Sequence, residues 1–187
     1  MPFAPPHKPN LTTLNVLKRC YNNFMNTPAP SGRLIILCGL PGSGKTTFSK
    51  ALEAKLGAIG LDADEWMDAL GIDLWDEASR AKVEALQWRT AQQLLARGLT
   101  VVIAWGTWGR SERDQLRLGA RDLGAAVELH YLTATPDELF ERVRRRGSEH
   151  PPFTRENLLD CIEKIQVPTR EESALFDPPL MKLADDS

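Results

Sequence analysis

The run from Arg33 to Thr46 most narrowly limits what this chain can fold into. RLIILC at 33–38 is a continuous apolar segment, too short for a helix and bounded by turn residues, the pattern of a strand buried on both faces. It passes directly into GLPGSGKT at 39–46, and the residues from Lys45 to Leu56 then read as a helix. The eight residues match G-x-x-x-x-G-K-[ST] at every fixed position, in the strand-turn-helix context that gives the pattern its meaning. Glycines let the backbone curl so that successive N–H groups point inward, and the helix adds its positive N-terminal end. The natural occupant of such a cradle is a chain of phosphates.

Gly39, Pro41, Gly42, Ser43, Gly44, Lys45, Thr46 and Thr47 are therefore the candidate nucleotide-binding residues, with a nucleoside triphosphate and Mg2+ as the expected cofactors. Lys45 would reach the outer phosphates, and Thr46 would offer its hydroxyl to the magnesium ion.

The rest of the chain alternates strand and helix patterns. A second short strand is expected at 58–61. A long helix over 76–97 would carry Ala78, Ala81, Ala85, Trp88, Ala91 and Leu95 as its apolar stripe. A third strand is expected at 100–103, a helix over 111–123 and a fourth strand at 127–132. Thr135-Pro-Asp-Glu138 supplies a cap, a proline at the first helical position and a carboxylate three residues on, so a helix should run to about Arg146. A loop at 147–152, a helix over 155–165 and a last strand at 180–183 follow. Such alternation implies an α/β fold, a parallel sheet with helices on both faces. Residues 1–30 read as a separate N-terminal element: a proline-rich arm, then a helix with Leu14, Leu17 and Tyr21 at helical spacing. Residues 31–187 would form the main domain, with a lid around 142–155.

Phosphoryl transfer needs a positioned acceptor, magnesium and positive charge around the migrating group. Asp62 and Asp64 follow the second strand, at the carboxyl end of the sheet where ligands bind in such folds. Asp64 is the choice for a base and Asp62 for a magnesium-linked or orienting role, against the competing reading that Asp64 caps a helix starting at Glu65. Arg142, Arg144, Arg145 and Arg146 cluster at a helix end before a glycine. Spacing puts Arg142 and Arg146 on one face, where a closing loop could bring them onto the nucleotide. Trp66, Trp75, Trp105 and Trp108 fall near the same sheet edge, either as core or as the lining of an apolar acceptor pocket.

Composition narrows the partners. With 23 Lys and Arg against 25 Asp and Glu, a net charge of −2 gives no reason to expect non-specific nucleic-acid binding. No apolar run approaches the ~20 residues needed to span a bilayer, and the N-terminal decapeptide does not read as a signal peptide, so a cytoplasmic location is expected. Cys20, Cys38 and Cys161 lack metal-ligand spacing, and His7, His130 and His150 form no constellation. A monomer or weak homodimer is expected.

With these pieces in order, the chain resembles the P-loop kinase-like ATP-binding proteins, which include small-molecule phosphotransferases, chloramphenicol phosphotransferase, zeta toxins and the kinase domain of polynucleotide kinase. The likeness rests on residues 39–46, on LDADEW at 61–66, WGRSERD at 108–114, ERVRRR at 141–146 and VPTREE at 167–172. It implies a P-loop NTPase three-layer α/β/α sandwich with a five-stranded parallel sheet and a small lid. It also implies transfer of the ATP γ-phosphoryl group to a hydroxyl, with Asp64 as the base and Arg142 and Arg146 on the phosphates. One departure is Ala104, where the third strand of similar proteins often ends in Asp. The leading expectation is a kinase for a small molecule such as an antibiotic or a nucleoside-like compound. The alternatives are a polynucleotide 5′-hydroxyl kinase, and a nucleotide-binding switch or weak ATPase acting through a partner.

Overall fold

The computed structural model describes residues 31–147 and 150–181. The expected N-terminal arm and helix lie outside the described residues, as do Cys20, His7 and part of the expected last strand.

Strand β1 (Arg33–Cys38) is followed by helix α1 (Lys45–Leu56), strand β2 (Ile59–Leu61) and helices α2 (Ala63–Ala69) and α3 (Glu77–Leu95). Strand β3 (Thr100–Gly106), helix α4 (Arg110–Asp122) and strand β4 (Ala126–Tyr131) come next. Helices α5 (Pro136–Arg146), α6 (Arg155–Lys164) and α7 (Arg170–Ser173) complete the set. The sheet has the order β2-β3-β1-β4, with every pairing parallel. β1 lies between β3 and β4, so the turn leaving it opens at the carboxyl edge, where connections diverge to the two sides.

Alternation along β1 sorts the core into two layers. Leu34 and Ile36 meet Val101, Ile103 and Val127 under Ala91 and Leu95 of α3 and Leu116 and Ala120 of α4. Ile35 and Leu37 meet Val102 and Ala104 under Leu52 of α1, with Phe48 and Leu56 beside them. Both faces of the strand are thus covered, as its unbroken apolar run requires.

Three expectations are corrected. Among the described residues the sheet has four strands and not five, and Leu180 and Met181 are not strand. Residues 177–180 do run beside β4. Asp177 N–H reaches the Val127 carbonyl at 2.7 Å, but Pro178 and Pro179 have no N–H to continue a ladder, and Leu180 N–H goes to the Glu128 carboxylate at 3.1 Å. In α3, Ala78, Ala81 and Ala85 are exposed, and the buried row is Val83, Gln87, Ala91 and Leu95. Finally, β3 runs on to Gly106. One extra residue lies between the pairs Ile36↔Ile103 and Cys38↔Gly106, a bulge that redirects the chain as it leaves the sheet. Ala104 is therefore no strand end but a core residue, 4% exposed.

Among the described residues no helix is long and apolar enough to cross a membrane.

Candidate active site

Glycine chemistry shapes the phosphate loop. A Cβ on Gly39 would lie 2.4 Å from the Leu132 carbonyl oxygen, and one on Gly42 would lie 2.5 Å from that of Leu139. Both positions have to be glycine because neighbouring backbone closes on them. Gly44 differs: at φ +97° a Cβ would meet nothing within 4 Å. No side chain caps α1 at Gly44, so its first-turn N–H groups are left for a ligand. Ser43 Oγ is buried without a hydrogen-bond partner among the described residues, an orphan that a phosphate oxygen would satisfy. The loop thus fits a phosphate chain on three separate counts.

Lys45 folds back over this loop. Its Nζ donates to the carbonyls of Gly39 and Leu40, each at 3.0 Å. Burial draws its pKa down to about 8, against the opposing pull of Asp64 and Asp62.

Asp62 ends β2 and caps α2: one carboxylate oxygen accepts the Asp64 N–H at 2.9 Å, the other the Thr46 hydroxyl at 2.9 Å. Burial raises its pKa, and the Thr46 hydroxyl opposes that rise. The capping role weighed for Asp64 therefore belongs to Asp62, two residues earlier, and α2 starts at Ala63 rather than Glu65. Asp64 is left half-exposed in the first turn, ion-paired with Arg80 of α3 at 2.7 Å.

A cavity of about 380 Å³ is lined by Gly44, Thr46, Thr47, Asp62, Asp64, Glu65, Asp68, Leu74 and Arg146. One space therefore joins the head of α1, both aspartates and Arg146 at the end of α5. Arg142 approaches the loop from outside, its Nη1 3.4 Å from the Gly42 carbonyl. Arg144 turns away to Glu141 at 2.8 Å.

A family model described as AAA domain matches residues 34–168, nearly the whole of this architecture. The chain belongs to that family, as a P-loop kinase-like phosphotransferase. It is 32% identical to the shikimate kinase of Symbiobacterium thermophilum over 122 residues, 64% of this chain and 68% of that one. It is 30% identical to a gluconokinase of Arabidopsis thaliana over 136 residues, 66% of this chain and 71% of that one. Among solved structures it is similar to a gluconokinase from Sinorhizobium meliloti 1021, with 23% identity, a TM-score of 0.52 and coverage of 78% and 80%.

In this P-loop kinase the four tryptophans do not line the cavity, which corrects the pocket reading. Trp105 donates to Gln87 Oε1 behind Asp62, Trp108 donates to the Gly39 carbonyl at 3.1 Å, and Trp75 stacks on Phe153. Trp66 stands half-exposed on α2. An indole here packs with its body and anchors with its N–H.

Several polar residues that hold the site escaped the sequence reading. Gln87, wholly buried, donates to the Asp62 carbonyl at 3.0 Å. Arg80 fixes Asp64. Arg113, also wholly buried, forms a bidentate pair with Glu172 at 2.7 and 2.9 Å. The signal for Gln87 and Arg80 is present, as polar side chains on the face of α3 that carries Val83 and Ala91; Arg113 and Glu172 each stand in a stretch that carries the resemblance, but they lie 59 residues apart and no local pattern pairs them.

Proposed function

We propose that this chain is an ATP-dependent kinase that moves the γ-phosphoryl group to a hydroxyl of a small molecule. The observation that supports it most is that Asp64 and the head of the phosphate loop line one cavity, whose volume suits a small polar acceptor. Lys45 and the first-turn N–H groups of α1 hold the phosphates. Asp64 accepts the proton of the attacking hydroxyl, its carboxylate kept in place by Arg80. Arg146, in the cavity wall, and Arg142, on the loop, offset the charge that spreads over the transferring group.

Magnesium, when bound, would neutralise phosphate charge, with the Thr46 hydroxyl and, through water, Asp62 as its protein partners. Among the described residues no group of three His, Cys, Asp or Glu side chains could hold a metal alone. The available set suits an ion that typically takes one or two protein ligands beside phosphates and waters.

The test is transfer of labelled γ-phosphate from Mg-ATP across a panel of polyols, sugars, nucleosides, antibiotics and 5′-hydroxyl oligonucleotides, with an acceptor-free control. A labelled small molecule supports the reading. Label on oligonucleotides alone favours a polynucleotide kinase, for which exposed Arg142, Arg144 and Arg145 would serve the strand. ATP binding without transfer to any member of the panel counts against a kinase and for a switch.

A further inference from the structure

The Gly39 carbonyl, first in the phosphate loop, accepts two hydrogen bonds. One comes from Lys45 Nζ at 3.0 Å and the other from the Trp108 indole Nε1 at 3.1 Å. Lys45 has to leave this carbonyl when phosphates arrive. A carbonyl stripped of its only partner in a half-buried loop carries a desolvation penalty that opposes the move. Trp108 removes that penalty, because its N–H stays when the lysine goes.

The indole is aimed by an unusual turn. Gly106 has φ +104°, and a Cβ there would lie 2.9 Å from Trp108 Nε1, so only glycine lets the ring tuck in. The next residue, Thr107, is β-branched, buried and at φ +42°, a conformation such residues adopt only where the surroundings impose it. The imposing group is Arg113. Its Nη1 donates to the Thr107 and Trp108 carbonyls, each at 2.9 Å, and its Nη2 to the Gln166 carbonyl at 2.8 Å. The bidentate pair with Glu172 locks the guanidinium from the far side. Gln166 N–H returns to the Trp108 carbonyl at 2.9 Å.

We propose that Trp108 is a positioning residue of the phosphate loop: its indole N–H holds the Gly39 carbonyl so that Lys45 is free to pass to the triphosphate, and the Arg113–Glu172 pair holds the turn that presents it. The proposal rests on the kinase reading only in taking Lys45 as a phosphate ligand.

The test is a double-mutant cycle on Mg-ATP binding, measured by calorimetry on the full chain, with Trp108→Phe, Lys45→Ala and both together. Trp108→Phe keeps an aromatic ring against the cluster of Leu40, Leu139 and Leu158 while removing the N–H. It is expected to weaken binding about tenfold in the wild-type background and by less than about twofold in Lys45→Ala, where no lysine has to leave. Trp108→His, which restores a ring N–H, is expected to recover most of the affinity, and it keeps the test open should Trp108→Phe melt early. Unchanged binding in Trp108→Phe, equal losses in both backgrounds, or equal losses with Phe and His would each overturn the proposal in favour of packing alone. If Lys45→Ala itself binds Mg-ATP like wild type, the kinase reading fails, a result separate from any effect at Trp108.

Discussion

Asp64 and Arg80 join α2 to α3 through a carboxylate-guanidinium contact of 2.7 Å at the wall of the cavity. The pair sets the direction of the carboxylate that would take the acceptor's proton. Asp64→Asn is expected to lower phosphoryl transfer by about 10² to 10⁴-fold while nucleotide affinity changes less than about twofold. Arg80→Ala leaves the carboxylate but frees its orientation, and a smaller loss, about tenfold, is expected. Steady-state transfer alongside calorimetric ATP binding checks both; a weakened ATP affinity in Asp64→Asn would move the residue to the nucleotide side.

The depressed Lys45 pKa has two consequences of opposite sign. In the free protein the ammonium loses its proton near pH 8, so nucleotide affinity should fall as pH rises through about 8. Stability runs the other way. The unfolded chain holds that proton up to about 10.4, so between about 8 and 10.4 the unfolded state binds more protons, and this group's contribution makes the fold more stable as pH rises. Binding isotherms and melting curves from pH 7 to 10, on wild type and Lys45→Ala, separate the two, because the variant should lose both trends.

Asp62 caps α2, and substitution can separate that cap from its proposed magnesium role. Asp62→Asn retains an oxygen to cap α2, and should melt close to wild type while needing more magnesium for half-maximal transfer. Asp62→Ala loses the cap and leaves Thr46 without its acceptor, at a cost of about 1 kcal/mol in unfolding free energy. Denaturant titration and a magnesium titration on the two variants distinguish the roles.

The arginines at the end of α5 should affect the chemical step more than binding. Arg142→Ala and Arg146→Ala are each expected to lower kcat by about 10 to 100-fold, with KM for ATP changing far less. The same measurement on Arg144→Ala, whose guanidinium is turned to Glu141, should show a change under about twofold.

How far the sequence foretold this site depended on how local each signal was. The strand, glycine turn and helix of residues 33–56 are one continuous pattern, and the structure follows it. So does the start of α5, where Thr135 and Glu138 cap each other with Pro136 in the first turn. The assignment of the cap on α2 failed because Asp62 and Asp64 stand two residues apart, and either carboxylate suits a helix start. The alanines of α3 misled for a related reason: alanine favours a helix on either face, so Ala78 and Ala81 say nothing about which side is buried. Arg113, Gln166 and Glu172 meet only once three separate segments have folded, and no short window along the chain contains all of them.

Pro178 and Pro179 reach beyond the count of strands. Among the described residues β4 has β1 on one side only, and its other flank would otherwise display backbone groups ready to pair with any extended chain. Asp177 occupies both Val127 groups, its own N–H on the carbonyl and its carboxylate on the N–H at 2.6 Å, and Glu128 takes the Leu180 N–H. The segment covers that flank at Val127 while offering little of a new one, since Pro178 and Pro179 cannot donate. A chain cut after Phe176 is expected to leave the Val127 backbone groups open to pairing with another extended chain, and light scattering on the truncated chain beside the full one checks it.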